Sequence, residues 1–269
     1  MKTLKKDWWK VILIILVSSF FDMLLHALIS PLNSSNISLL KPSIFVKNGM
    51  LVPAIIAWEL LALSILALVF ILIERNLPGK KWFKGFLYGL SFGGLYLVGM
   101  FECVLLFNSS ILNEALIGLG DFIPILLIGI LLGIFTGTDE TQNKKRQNIL
   151  SVFVMAIFYI IGRYFAYSIL HIQSAYISKP LGTFIWTLCQ GLWVGIIYFI
   201  LHPSIKRKSN ISQGLYFGIV IFGSNWLMNH LFIAAIAELS LDLFIRAGTD
   251  ILFAIIGACV CKKLFDKID

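Results

Sequence analysis

Residues 51–73 read LVPAIIAWELLALSILALVFILI, and the only ionisable side chain among them is Glu59. A helix rises about 1.5 Å per residue, so this run extends roughly 35 Å and crosses a hydrocarbon core about 30 Å thick. Seven further stretches have the same character: 11–30, 86–107, 115–136, 149–172, 182–202, 214–237 and 241–261. A bilayer offers backbone groups no water, so apolar runs of this length are helical. The sequence therefore predicts an all-α polytopic bundle of about eight transmembrane helices. Pro53 and Pro124 are the only prolines well inside spans, so the helices are expected to run unbroken.

Composition agrees. The 269 residues are 59% hydrophobic and 13% charged, against about 25% charge in a soluble domain. The formal net charge is +8, which in a soluble protein would suggest nucleic acid. Here the positive charge sits in short loops, and no nucleic-acid partner is expected. Met1 to Lys10 is basic and leads into an apolar run too long for a signal peptide, with no clean cleavage site. It reads as a retained first helix.

Orientation follows from the loops. Lys2, Lys5, Lys6 and Lys10 precede the first span. Arg75, Lys80, Lys81 and Lys84 lie between the second and third. Lys144, Lys145 and Arg146 lie between the fourth and fifth, and Lys206, Arg207 and Lys208 between the sixth and seventh. Lys262, Lys263 and Lys267 follow the eighth. The opposite loops hold only Lys41, Lys47 and Lys179. This bias predicts a cell-membrane protein with both termini cytoplasmic, and Trp8, Trp9 and Trp82 lie where a cytoplasmic aromatic belt belongs.

The chain repeats itself. GFLYGLSFGG (85–94) corresponds to GLYFGIVIFG (214–223), and IGLGDFIPILLIG (117–129) to IRAGTDILFAIIG (245–257). Lys41-Pro42 and Lys179-Pro180 occupy matching loops. The expected organisation is a four-helix repeat over 1–137, a cytoplasmic linker over 138–148 and a second four-helix repeat over 149–269. Four spans is an even number, so the halves share one topology, the parallel-repeat case.

Ionisable groups inside spans are costly and are functional candidates. They are Asp22 and His26 in the first span, Glu59 in the second, Glu102 in the third, Asp121 in the fourth, Arg163 in the fifth, and Arg246 with Asp250 in the eighth. Gln190, Asn225, Asn229 and His230 add polarity. All lie at or outside the midplane. Glycines at four-residue spacing (Gly85, Gly89 and Gly93; Gly129, Gly133 and Gly137; Gly214 and Gly218) lie toward the inner ends, where small residues let helices approach. The expectation is a wedge: a tight dry floor and a splayed outer half holding a polar pocket open to the outside.

Each residue also has a structural reading. Asp–Arg pairs can simply hold a bundle together, and Asp250 stands four residues after Arg246, so that pair can be local. Glu59 and Glu102 have no evident local partner. Asp22 and His26, one turn apart, could form a proton relay, half a metal site, or a histidine held by its neighbouring carboxylate. Asn225 and Asn229, also one turn apart, suit interhelical hydrogen bonds. In the repeat alignment Asp22 falls at or beside Arg163, Glu59 on Gln190 and Gly118 on Arg246, so charges of the two halves are placed to pair across the axis. Cys103, Cys189, Cys259 and Cys261 lie in apolar runs and are read as small apolar residues. No bound metal and no cofactor are expected.

Asp22 with His26, and the stretch Lys84-Gly85-Phe86-Leu87-Tyr88-Gly89 opening the third span, resemble motifs of small four-helix bacterial membrane domains of unknown function. The resemblance covers residues 1–137. The second half departs from it, with no Asp-x-x-x-His and with Gln213-Gly214 in place of Lys-Gly. It implies a four-helix unit, here duplicated, and no activity.

No phosphate loop, Rossmann glycine pattern or HExxH is present, and no nucleophile elbow. Catalysis is not expected. The leading expectation is a transporter or binding protein for a small polar or charged solute or an ion. The alternatives are a membrane-embedded enzyme acting on a lipid, or an accessory, sensor or immunity-type protein whose charges are structural.

Overall fold

The computed structural model describes residues 4–29, 41–139, 148–205 and 209–265. The loop residues Lys2, Lys144, Lys145, Arg146, Lys206, Arg207, Lys208 and Lys267, and the side chains of Lys5 and Lys6, lie outside the described set. Among the described residues, eight helices are long and apolar enough to cross a membrane. They are α1 (Trp8–Ile29), α2 (Leu51–Asn76), α3 (Lys81–Leu106), α4 (Ile111–Thr136), α5 (Leu150–Ser168), α6 (Pro180–Ser204), α7 (Asn210–Ile236) and α8 (Leu241–Phe265). Their outward faces stay apolar. Leu13, Leu16 and Phe20 on α1, and Phe153, Ile157 and Ile161 on α5, are all exposed. Such a surface suits lipid and not water. The chain is a multi-pass membrane protein.

Helix packing follows the small residues. The face of α3 carrying Gly85 and Gly89 meets the face of α4 carrying Gly129 and Gly133. A Cβ added at Gly85 would lie 2.1 Å from the Gly129 carbonyl oxygen, and one at Gly133 would lie 2.4 Å from that of Lys81. The two backbones are therefore in contact, as small-residue spacing allows. The same device seats Gly195 of α6 on Val152 of α5, and Gly214 and Gly218 of α7 on Cys259 and Ile255 of α8. Helix α1 packs on α4 and α2, and α5 on α8 and α6. Helix α3 meets α6, while α2 meets α7.

The centre of the bundle is apolar and closed. Phe70, Tyr88, Phe92, Ile128, Leu132, Ile197, Phe217 and Phe222 have no exposed surface. At the basic end, Glu74 accepts hydrogen bonds from the Thr138 amide and hydroxyl, both at 3.1 Å, and lies 3.9 Å from the buried Lys84 ammonium. Asn76 donates to the Ser204 carbonyl at 3.4 Å. At the opposite end, Lys179 donates to the carbonyls of Val104 and Leu105 at the end of α3 and to Asn108. A cation is favourable there, because the last carbonyls of a helix are unpaired and carry its negative dipole end. Pro42 bridges to Ala237, and Ser43 donates to the Ala235 carbonyl at 2.7 Å.

Two spans depart from the expected unbroken helix. In α3 the α-helix stops at Met100 and resumes at Glu102, with Phe101 as a turn. In α7, residues Tyr216–Gly223 form a π-helix. A Cβ on Gly223 would stand 2.3 Å from the Gly218 carbonyl. The wide turn is therefore closed by a residue with no side chain. Neither break contains a proline, which is why the proline positions did not signal them.

Candidate functional site

The twelve candidate residues do not form one pocket. The structure distributes them between two clusters in the half of the bundle away from the basic loops, with Gln190 and the polar face of α7 beside them.

The first cluster joins α1, α2 and α4. Asp22 and His26 sit one turn apart on α1, a spacing that puts both on one face. His26 Nε2 lies 3.1 Å from Asp121 Oδ1 and 3.8 Å from Asp22 Oδ1. Gly120 makes room for the imidazole, since a Cβ there would lie 3.0 Å from His26 Cε1. Glu59 reaches the same point from α2. Asp22, Glu59 and Asp121 line a cavity with Trp58, Ala62, Leu63, Leu66, Tyr96 and Ile125. Space for a water-sized occupant is about 20 Å³, slightly more than the roughly 10–15 Å³ that one water needs. Glu59 is 5% exposed, and its Oε1 has no hydrogen-bond partner. Three carboxylates thus converge, and among the described residues their ion pairs come from His26 alone.

The second cluster joins α3, α5, α7 and α8 and is ion-paired throughout, although one carboxylate oxygen, Asp250 Oδ1, is buried without a hydrogen-bond partner. Arg163, with no exposed surface, donates from Nη2 to Asp250 at 2.6 Å, from Nη1 to Glu102 at 3.0 Å and from Nε to the Tyr159 hydroxyl at 3.1 Å. Its guanidinium carbon lies 4.9 Å from the centre of the Trp186 ring, within cation–π range. Arg246 donates to Glu102, to Asp242 at 3.1 Å and to the Gln173 carbonyl. Trp226 donates to Asp250 at 2.8 Å. Buried ions are tolerated when geometry is good and hydrogen bonds fill the remaining positions. Both arginines meet that condition.

Several expectations are corrected here. Arg246 does not pair with Asp250 four residues on; it turns back to Asp242, four residues before. Glu102 has no partner nearby in sequence, as expected, and both arginines reach it from other helices. Among the described residues only Glu102 of the first-half acids reaches an arginine of the second half, so no general pairing of opposite charges joins the halves there. Gln190 is fully buried, and neither amide atom has a partner. Asn225 donates to the Ile221 carbonyl at 2.9 Å within its own helix. His230 packs on the Trp226 ring, with Nδ1 3.0 Å from the Trp226 carbonyl. Asn229 lies beside Gly99, its amide 3.6 Å from where a Cβ would stand.

Sequence reasoning missed Asp242, Tyr159, Trp58, Tyr96 and Trp226. Two of them carried a signal. Asp242 and Tyr159 each stand four residues before an arginine, the spacing of helix-face pairs. The aromatic residues carried none, because aromatics are common in spans. They form the link between clusters. Tyr96 and Trp58 line the first cavity, and each donates to a backbone carbonyl of α7, at Asn225 (3.0 Å) and Met228 (2.9 Å). Trp226, between those two carbonyls, is bound to Asp250 of the second cluster.

Comparison with protein families, with characterised proteins and with solved structures finds no match.

Proposed function

We propose that this protein is a membrane carrier for a small cation, and that the cation binds at Asp22, His26, Glu59 and Asp121. One observation carries the reading: three carboxylates converge on a water-sized cavity with no lysine or arginine paired to them among the described residues, while neighbouring arginines are held elsewhere. A carboxylate moved out of water costs several kcal/mol unless it is paired. A cation in the cavity offsets that cost. The cavity's size favours a proton or a single ion over an organic solute or a lipid headgroup.

Movement needs an element with two arrangements. Helix α7 is the proposed one. Its π-helical stretch ends at Gly223, two residues before Asn225, and π turns inside helices recur at functional sites. Residues Asn225, Trp226 and Met228 then connect the cation site to the ion-paired cluster. In this reading a cation entering the first cavity shifts Trp58 and Tyr96, and α7 transmits the change to Asp250.

The bundle reads as two related four-helix halves. What supports this is the pattern of packing. Helix α1 lies on α4 as α5 lies on α8, and α3 on α4 as α7 on α8. Between the halves, α3 meets α6 while α7 meets α2. Exchange of the halves carries that last pair of contacts into itself, as a twofold axis along the membrane normal requires. The basic loops favour cytoplasmic termini, and in this reading the cation site lies in the outer half.

The test is flux. Protein reconstituted in vesicles with a trapped pH dye is expected to speed the decay of an imposed proton gradient or to couple it to added cations. Asp22→Asn and Glu59→Gln abolish the effect. Flux equal to that of protein-free vesicles under every cation gradient would end the carrier reading and favour an accessory role.

A further inference from the structure

The geometry points to a divalent transition-metal site at His26, Asp22 and Asp121, with Glu59 as a fourth ligand or as the base for a metal-bound water. The inference deepens the cation reading above and rests on it.

Three independent features lead there. The first is spacing. One ligand atom each from Asp22, His26 and Asp121 lie within 4.8 Å of one another, and the two measured separations from His26 Nε2 are 3.1 and 3.8 Å. Two ligands about 2.0–2.1 Å from a tetrahedral zinc lie roughly 3.4 Å apart. A metal enters this triangle with small side-chain adjustments. It replaces the direct His26–Asp121 contact by two bonds to itself.

The second is an orphan acceptor. Glu59 Oε1 is buried with no partner, and Glu59 lines the cavity that Asp22 and Asp121 also line. A buried acceptor left unpaired is costly, and native structures keep few of them. A metal, or a water bound to it, would meet the orphan in the cavity that Glu59 shares with Asp22 and Asp121. The cavity holds about 20 Å³ for a water-sized occupant, enough for that water.

The third is ligand chemistry. An imidazole with carboxylates suits zinc, manganese, iron or cobalt. Magnesium prefers to keep several waters, and calcium takes six to eight oxygens. This site, with one nitrogen ligand and three carboxylates, does not supply that oxygen-rich shell. A dication also neutralises two of the converging carboxylates, which a single proton does not.

The ring position is set by Gly120. A Cβ at that residue would stand 3.2 Å from His26 Nε2. Gly120→Ala is therefore a variant that keeps every ligand residue and presses on the His26 imidazole and the Ile29 side chain.

The experiment is a titration of purified, chelator-stripped full-length protein with Co²⁺ and Zn²⁺. Visible absorption of bound Co²⁺ reports the ligand field, and calorimetry gives the stoichiometry. The wild-type protein is expected to bind one Co²⁺ per chain, displaced by Zn²⁺, with a rise in Tm on metal addition. His26→Gln and Asp121→Asn lose at least about 100-fold in affinity, and Glu59→Gln loses about tenfold, the scale of ligand and outer-ligand loss. Gly120→Ala weakens binding with its Co²⁺ spectrum shifted. His171→Ala, outside the cluster, binds as wild type. Because the wild-type titration stands alone, a variant that fails to fold does not shelter the proposal. Absence of Co²⁺ absorption and of a Tm rise in wild type overturns it, as does metal binding unchanged in folded His26→Gln and Asp121→Asn. Metal binding without flux supports this site while the carrier reading fails. Proton flux without metal binding overturns this site and leaves the carrier reading with a proton.

Discussion

Both polar clusters hold carboxylates inside the bundle, and they differ in how those charges are balanced. Around Arg163 and Arg246, every guanidinium meets carboxylates at hydrogen-bond distance, with Tyr159, Trp226 and the Gln173 carbonyl filling further positions. Around Asp22, Glu59 and Asp121 the one basic partner among the described residues is His26. A network whose carboxylates are paired with arginines resists substitution and has no acid left without a strong cation, even though Asp250 Oδ1 accepts no hydrogen bond. An open one is under electrostatic strain and gains from a cation. Intramembrane charge alone therefore does not mark a site; charge left unbalanced by the fold does.

This contrast orders the expected effects of mutation. The largest is Arg163→Met, which leaves Glu102 and Asp250 buried with one positive partner fewer. Breaking a buried pair from one side costs about 3–5 kcal/mol, so folded yield in detergent should collapse. If Arg163→Met retained the wild-type Tm, the strut reading of the second cluster would be lost. Next is Gly85→Val at the α3–α4 contact. Overpacking costs about 1–3 kcal/mol, and a side chain here meets the Gly129 backbone and not a movable group. A measurable fall in thermal midpoint is expected, larger than for the same change at Gly248, where nothing lies within 4 Å. The smallest is Tyr96→Phe, which removes one hydrogen bond to α7, worth about 0.5–1.5 kcal/mol. Its use is to separate stability from coupling: the midpoint should move little while flux slows. Unchanged flux would remove Tyr96 from the link between the clusters.

All eight spans were legible in the sequence because length and apolarity alone decide them. Their ends were less so. The fifth was read to residue 172, whereas α5 stops at Ser168, and His171 takes a positive φ of 52° in the turn that follows. The glycine contacts between α3 and α4 were also legible, since four-residue spacing fixes a face. The division of the polar residues was not. It depends on how each helix is rotated against its neighbours, which composition does not encode. Arg246 has acids at both four-residue offsets, Asp242 and Asp250, and spacing cannot choose between them. The third dimension supplied Arg163, which takes Asp250 for itself. The π-helical stretch of α7 was equally silent, because YFGIVIFG reads as an ordinary apolar run.

The most direct test neutralises one acid from each cluster without changing its shape. Thermal unfolding of Glu59→Gln and Asp250→Asn would be measured side by side with the wild type, in the same detergent and in the presence of a metal chelator. Loss of charge at Asp250 removes the partner of Arg163, so a large fall in Tm is expected. Loss of charge at Glu59 relieves repulsion among unbalanced carboxylates, so a midpoint equal to or above that of wild type is expected. Equal falls in both variants, or a deeper fall for Glu59→Gln, would contradict the distinction between a closed strut and an open cation site.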